Sequence, residues 1–228
     1  MPILFFDNNI PVGYCFMQDP QHELAKKAFE NISTKYWSKN VIFEFTRVCD
    51  RKLLILDDFI DEIIDEIGSI DEKLSIEQLA NIVDCLKFEA LNKKAISIIV
   101  NDIWNEGHFN GKESADKIIP YLKDYKRSFK KRVRKFKTDC YINLNEHERL
   151  ISYPKKEKLL KKCVDGEDSF LKLGNDMNIC LDAHDLAKKA DIHKLTFITD
   201  DLPLFDCKNI LETSTKIYQV AALRKYSF

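Results

Sequence analysis

The stretch Asn178–Asp201, N-I-C-L-D-A-H-D-L-A-K-K-A-D-I-H-K-L-T-F-I-T-D-D, decides how the rest of the chain is read. It holds a helix predicted over Asp182–Ala190, a short apolar strand, Leu195–Ile198, and then Thr199-Asp200-Asp201. Leu186 and Ala190 form the helix's apolar face, with Ala183 and Ala187 beside it. Those small residues let a strand pass close. A strand this short needs partners from elsewhere in the chain. Asp disfavours strands, so the acids mark the strand's exit. Acids at the exit of a strand and at the start of a helix can converge on one point.

Working outward, Ile3–Phe6 is an apolar run stopped by Asp7 and is predicted to be a buried, central, parallel strand. Asp7-Asn8-Asn9 precedes Ile10-Pro11-Val12. Asp7 therefore has two readings: a cap for the next helix, or a carboxylate at the carboxyl end of a strand, where open α/β sheets bind ligands. A helix follows over Gln21–Asn31 and a strand over Thr34–Trp37. Ser38 is placed to cap a long helix, in which Glu44 stands between Phe43 and Phe45. A Glu in such company is costly if buried without a partner.

The middle of the chain reads as helical. Leu53, Leu56, Ile60, Ile63 and Ile67 form one apolar stripe. Ser75 with Gln78 makes a capping box, and further helices are predicted over Asn92–Asn105 and Glu113–Thr138. Lys155–Cys163 is a short basic helix, and Val164–Asp168 a loop or cap. Tyr141–Tyr153 is ambiguous between irregular and extended backbone. Beyond the opening stretch, a short strand is expected near Ile210-Leu211, and a helix over Ile217–Tyr226.

Composition narrows the class. The 228 residues are 45% hydrophobic and 32% charged, an ordinary globular balance for one sizeable domain. Glycine and proline number 6 each, which favours a helix-rich chain. A net charge of −1 gives no bulk attraction to polyanions. It conceals two opposed poles: nine acids against Lys73 over Asp57–Glu77, and nine bases against Asp124 over Lys123–Lys137. The seven scattered cysteines lack any C-x-x-C, so reduced thiols and a cytoplasmic location are expected. No signal peptide and no membrane span are expected. The five histidines (His22, His108, His147, His184, His193) have no metal-ligand spacing. His184, nearest the acids, reads as a solvated helix residue rather than a general base.

The ordered set is strand–Asp, helix–Glu, helix–Asp, strand–Thr-x-Asp. Carboxylates that converge in a confined space need a cation to stay ionised together. Oxygen-only ligands suit Mg2+ or Mn2+, and one or two such ions can activate water and stabilise the leaving oxygen in phosphodiester cleavage. In order and setting, these residues resemble the PIN domain family. The likeness is carried by Phe6-Asp7-Asn8-Asn9, by Ile42-Phe43-Glu44-Phe45-Thr46-Arg47-Val48, and by Asp182 followed by Ala183, Ala187, Ala190 and Thr199-Asp200-Asp201.

The resemblance implies an α/β fold with a parallel-sheet, Rossmann-like core. It divides the chain into a core of residues 1–50 and 164–228 and a large helical insertion at about 51–163, all within one domain. It implies a divalent-metal-dependent endoribonuclease acting on single-stranded RNA, in many members the toxin of a toxin–antitoxin pair. Asp7, Glu44, Asp182 and Asp201 carry over as catalytic, metal-binding acids, with Asn8 and Thr199 in support. Asp200 competes with Asp201, and Asp185 with Asp182, as metal ligands. The partners implied are an RNA substrate and, for a toxin, an antitoxin protein, with a homodimer as the candidate assembly.

Arg127, Lys130, Lys131 and Arg134 on the basic helix are candidate phosphate contacts. Tyr125, Phe129 and Phe136 have the spacing of a core stripe, which favours burial over base stacking. The rival function is a PIN-like module that binds RNA or protein without catalysis. A second rival is a helical interaction protein in which the carboxylates are only caps.

Overall fold

Ile3–Phe6 forms β1, and its side chains point alternately to two faces that are both apolar: Leu4, Phe5 and Phe6 are fully buried. A strand covered on both sides belongs in the middle of a parallel sheet. The computed structural model describes residues 3–86, 88, 90–139, 144–164, 175–189, 192 and 194–227. In chain order β1 is followed by α1 (Asn9–Cys15), α2 (His22–Glu30), β2 (Thr34–Ser38) and α3 (Lys39–Gly68). Next come α4 (Ile76–Cys85), α5 (Lys93–Glu106), α6 (Ala115–Asp139), β3 (Leu144–His147) and α7 (Pro154–Val164). The chain closes with α8 (Asn175–Ala187), β4 (Leu195–Thr199), α9 (Leu202–Asp206), α10 (Lys208–Ser214) and β5 (Gln219–Ala222), which runs into a 3-10 turn, Leu223–Lys225.

The five strands make one sheet, in the order β3-β2-β1-β4-β5, with every neighbouring pair parallel. The chain winds outward from β1 to β2 and β3, then returns to lay β4 on the other side of β1. Strand order reverses between β1 and β4, and the crevice beyond their carboxyl ends is where such sheets hold ligands. Phe5 stands opposite Phe197 in register, and their rings meet edge to face at 5.7 Å. All five residues of β4 are buried.

The chain divides into two compact units, residues 1–48 with 136–228, and residues 49–135. The sheet lies in the first. A ring cluster of Tyr14, Phe29, Trp37, Phe45 and Phe136 packs there, with centroid separations of 4.9–6.1 Å. In the second unit, Leu56, Ile60, Ile63 and Ile67 are buried, as are Leu79, Val83, Ile99, Ile103, Ile118 and Leu122. Among the described residues, no helix is long and apolar enough to cross a membrane, and Cys15, Cys49, Cys85, Cys180 and Cys207 are free thiols.

Local signals behave as expected at several ends. The Ser38 hydroxyl accepts from Val41 N–H at the start of α3, and Ser75 with Gln78 forms the reciprocal capping box of α4. Three expectations are corrected. The helix expected over Asp182–Ala190 starts at Asn175, so Asp182 is an interior residue. The strand expected near Ile210-Leu211 is α10, and α9 precedes it: the Asp201 carboxylate accepts from Leu204 N–H and Pro203 occupies the first turn, both helix-starting features. Within the helix expected over Ile217–Tyr226, Gln219–Ala222 is β5, whose Val220, Ala221 and Ala222 are all buried beside β4, and Leu223–Lys225 is the 3-10 turn. A short apolar run fits either element, and pairing decides. Val164–Asp168, Cys140 and His193 lie wholly or partly outside the described residues.

Packing at the centre of the sheet gives a direct expectation. Phe197→Ala should cost about 3–5 kcal/mol of stability, because its ring is fully buried against Phe5. Phe43→Ala, at a side chain 67% exposed, should cost less than about 0.5 kcal/mol. Chemical denaturation of both variants checks the contrast.

Candidate functional site

Asp7 follows β1 directly. Its N–H donates to Ile198 O at 3.0 Å and so continues the ladder with β4. The side chain is 4% exposed. Oδ2 accepts from the Thr199 hydroxyl at 2.7 Å, and Oδ1 accepts from the Asn8 N–H at 2.7 Å. Burial pushes the Asp7 pKa up to about 7; the two hydrogen bonds pull it down, and the charges of Asp176 and Glu44 push it up.

Thr199 ties the two strand ends together. Its hydroxyl donates to Asp7 and accepts from Asp201 N–H at 3.0 Å. The side chain of Asn9 adds a second tie, accepting from Asp200 N–H at 3.2 Å. Asn8 supports Asp7 through its backbone and makes no side-chain cap bond to α1.

Two further acids act on Asp7. Glu44 lies near the start of α3, half-buried, between exposed Phe43 and buried Phe45. Its Oε2 is buried and has no hydrogen-bond partner. Asp176 lies in the first turn of α8. A carboxylate is favourable there, next to the positive end of the helix. Asp176 is absent from the sequence reading because that reading started the helix at Asp182. Asn175-Asp176 just ahead of the apolar run Met177, Ile179, Cys180 and Leu181 is the helix-start signal that could have found it.

The other predicted acids hold protein partners. Asp182 is 1% exposed. Its Oδ1 accepts from Arg149 Nε and its Oδ2 from Asn40 Nδ2, each at 2.8 Å. Arg149 also donates to Asn178 Oδ1 at 3.0 Å. Asp185 accepts from His147 Nε2 at 3.0 Å and from the Tyr153 hydroxyl. Lys189 Nζ lies 3.3 Å from His147 Nδ1; an ammonium can only donate, so the ring proton sits on Nε2, facing Asp185. Burial, then the Lys189 charge, hold the His147 pKa below its ordinary value.

Asp200 pairs with Arg224 at 3.0 Å, and burial raises its pKa. Asp201 caps α9 through Leu204 N–H at 3.3 Å. His184, expected to be solvated, is 3% exposed, and its Nδ1 accepts from Lys216 N–H at 2.9 Å. Among the described residues, no three His, Cys, Asp or Glu side chains are gathered in a form that could hold a metal ion as they stand. Asp7, with a buried carboxyl, and Glu44, with an orphaned buried oxygen, are oxygen donors, the ligand type that hard cations take, and the Glu44 charge acts on Asp7.

The basic helix α6 lies in the second unit as far as Lys135. Lys130 meets Asp57 at 2.5 Å, Lys126 meets Asp61 at 2.7 Å, and Arg127 meets Asp124 at 3.0 Å. Lys131 is exposed. Tyr125, Phe129 and Phe136 are buried.

Two outcomes follow for the isolated protein. A carboxyl whose folded pKa, about 7, lies above its unfolded value near 4 binds more protons folded than unfolded. Its unfavourable ionisation grows as pH rises from about 4 to 7 and is complete above 7. Metal-free Asp7→Asn should therefore melt higher than the parent at pH 8, and the gap should close toward pH 4. Thermal melts at both pH values check this. Arg149→Met leaves buried Asp182 without its cation and should cost about 3–5 kcal/mol in chemical denaturation. No family model, no curated protein and no solved structure matches this chain.

Proposed function

We propose that this chain is a divalent-metal-dependent endoribonuclease with a PIN-type core, cutting single-stranded RNA beyond the carboxyl ends of β1 and β4. One observation carries the reading: buried Asp7 stands at the point where strand order reverses, and the charges of Glu44 and Asp176 both act on it. Carboxylates brought together in this way resist joint ionisation unless a cation joins them.

Asp7, Glu44 and Asp176 would hold Mg2+ or Mn2+, which share their preference for oxygen ligands. When bound, the ion supplies positive charge to the phosphate under attack and to the leaving oxygen. The chain's own groups do the positioning. Thr199 and the Asn8 N–H fix both oxygens of Asp7. The lone buried oxygen of Glu44 has no competing protein donor. Asn9 and Thr199 hold the start of the Asp200-Asp201 turn against β1.

Within this reading Asp182 has a structural part, since the Arg149 guanidinium already balances its charge and Asn40 takes its other oxygen. The same fact favours a second reading, a PIN-like module that binds RNA or protein without catalysis. Asp182, Asp185 and Asp200 are all engaged by protein partners, which leaves fewer acids for an ion.

Cleavage of a mixed-sequence single-stranded RNA with Mn2+, against the same reaction with chelator, separates the two. Asp7→Asn, Glu44→Gln and Asp176→Asn should each lower the rate at least about 100-fold. Millimolar Mn2+ should raise the melting temperature of the parent and not of Asp7→Asn. Unchanged cleavage by Asp7→Asn overturns the nuclease reading. Salt-sensitive RNA binding with no cleavage selects the second.

A further inference from the structure

A second cavity lies in the sheet-bearing unit, where the N-terminal end of α7 meets α8 and the segment after α10. It measures about 430 Å3 and is lined by Tyr153, Lys155, Lys156, His184, Lys188 and Lys216 among others, with no acidic side chain in its wall. That volume lies in the usual range for small-molecule sites, about 300–1,000 Å3.

The lysines differ in what they do. Lys156 is anchored, donating to Ser214 O and so joining α7 to α10. Lys188 Nζ stands 4.8 Å over the Tyr153 ring. Lys155, Lys188 and Lys216 are exposed. No carboxylate among the described residues forms a salt bridge with any of them. Asp185 on α8, one turn before Lys188, is already engaged by His147 and Tyr153.

The wall also has apolar character. Tyr153 contributes a ring, set edge to face against His184 at 4.9 Å, and Pro154 and the lysine stems extend it. His184 stays neutral: burial and the charges of Lys156, Lys188 and Lys216 push its pKa down to about 4. Its Nδ1 accepts from the Lys216 N–H, so its proton sits on Nε2.

We propose that this cavity binds the phosphate of a nucleotide unit, with oxyanions at Lys155, Lys188 and Lys216 and the sugar or base against Tyr153 and Pro154. The cavity is larger than a bare phosphate requires, and its cations without salt-bridge partners surround an apolar wall. That combination suits an anion carrying a ring. The nucleotide can be free or part of an RNA strand. Asp176 and His184 are eight residues apart on α8, roughly 12 Å along its axis, so a strand held at one end of the helix would run toward the acids at the other.

Isothermal titration in chelator keeps the test independent of cleavage. The ligands are AMP, inorganic phosphate as its competitor, and a five-nucleotide single-stranded RNA. Changing Lys155, Lys188 and Lys216 together to Gln should weaken AMP and RNA binding roughly tenfold or more. The matching triple change to Arg should retain most of the affinity, and melting should be unchanged in both. RNA binding tighter than AMP, with a shallower salt dependence in the Gln variant, assigns the site to a strand. Equal affinity for AMP and RNA assigns it to a free nucleotide. Parent-like binding by the Gln variant, no binding by the parent, or failure of phosphate to compete would overturn the proposal. A catalytically dead protein that still binds through these lysines would leave this site standing and remove the nuclease reading alone.

Discussion

The hydrogen bond from the Thr199 hydroxyl to Asp7 Oδ2 joins residues 192 positions apart, and much of the site depends on it. Burying a carboxyl is costly unless hydrogen bonds receive it. Asp7 is buried, and its two oxygens are met by Thr199 and by its own neighbour's N–H. Those donors are in place because β1 and β4 are parallel neighbours in register, Phe6 opposite Ile198. A one-residue slip would turn Thr199 to the other face of the sheet and leave Asp7 with one donor. The buried apolar residues of β1 and β4 (Leu4, Phe5, Phe6, Leu195, Phe197 and Ile198) fix that register through burial. The core therefore determines the geometry of a polar contact at its edge.

The acids of α8 divide by the side of the helix they occupy. Each residue turns the helix by about 100°, so Asp182 lies roughly 120° around from Asp176. Asp176 and Cys180 share the side near Asp7, and burial with that acid charge raises the Cys180 thiol well above its ordinary value. Asp182 and Asp185 face the end of β3 and the segment after it, which supply His147, Arg149 and Tyr153. A buried acid paired with a cation or a neutral His–Tyr pair is satisfied locally. The charges of Asp176 and Glu44 both raise the Asp7 pKa. Under the proposed function, the side of α8 on which an acid lies, rather than a count of acids, decides whether it faces Asp7 or the Arg149 side.

What was legible in the sequence was the end of each central strand. Apolar runs closed by Asp7 and by Thr199-Asp200-Asp201 placed β1 and β4, and their acids, at one edge of a parallel sheet. The start of α8 is not legible, because the apolar run Ile179–Leu181 is closed by an acid at position 182 that imitates a helix start. Reading the helix from there put Asp182 forward and hid Asp176. Arg149 and His147 are not legible either: they lie just after and at the end of β3, a four-residue strand with two exposed members and little pattern of its own. The segments after β4 were read in reverse, strand for helix and helix for strand. Side-chain caps settled one and strand pairing the other, and neither is encoded in hydrophobic period.

The charge poles show a related limit of composition. The dense bases of α6 are the most conspicuous cationic feature in the sequence, yet Lys126 and Lys130 lie against Asp57 and Asp61 on α3. Arg127 is paired with Asp124 on its own helix. A cation already beside a carboxylate offers a phosphate less than an unpaired one, since binding must displace the existing partner. Lys155, Lys188 and Lys216 are distributed over three separate segments and form no run in the sequence, but they line one cavity from which acids are absent. Local charge density in a folded chain depends on which opposite charges share the surface, so lysines around an acid-free cavity suit an anion better than Lys126, Arg127 and Lys130, which already face carboxylates.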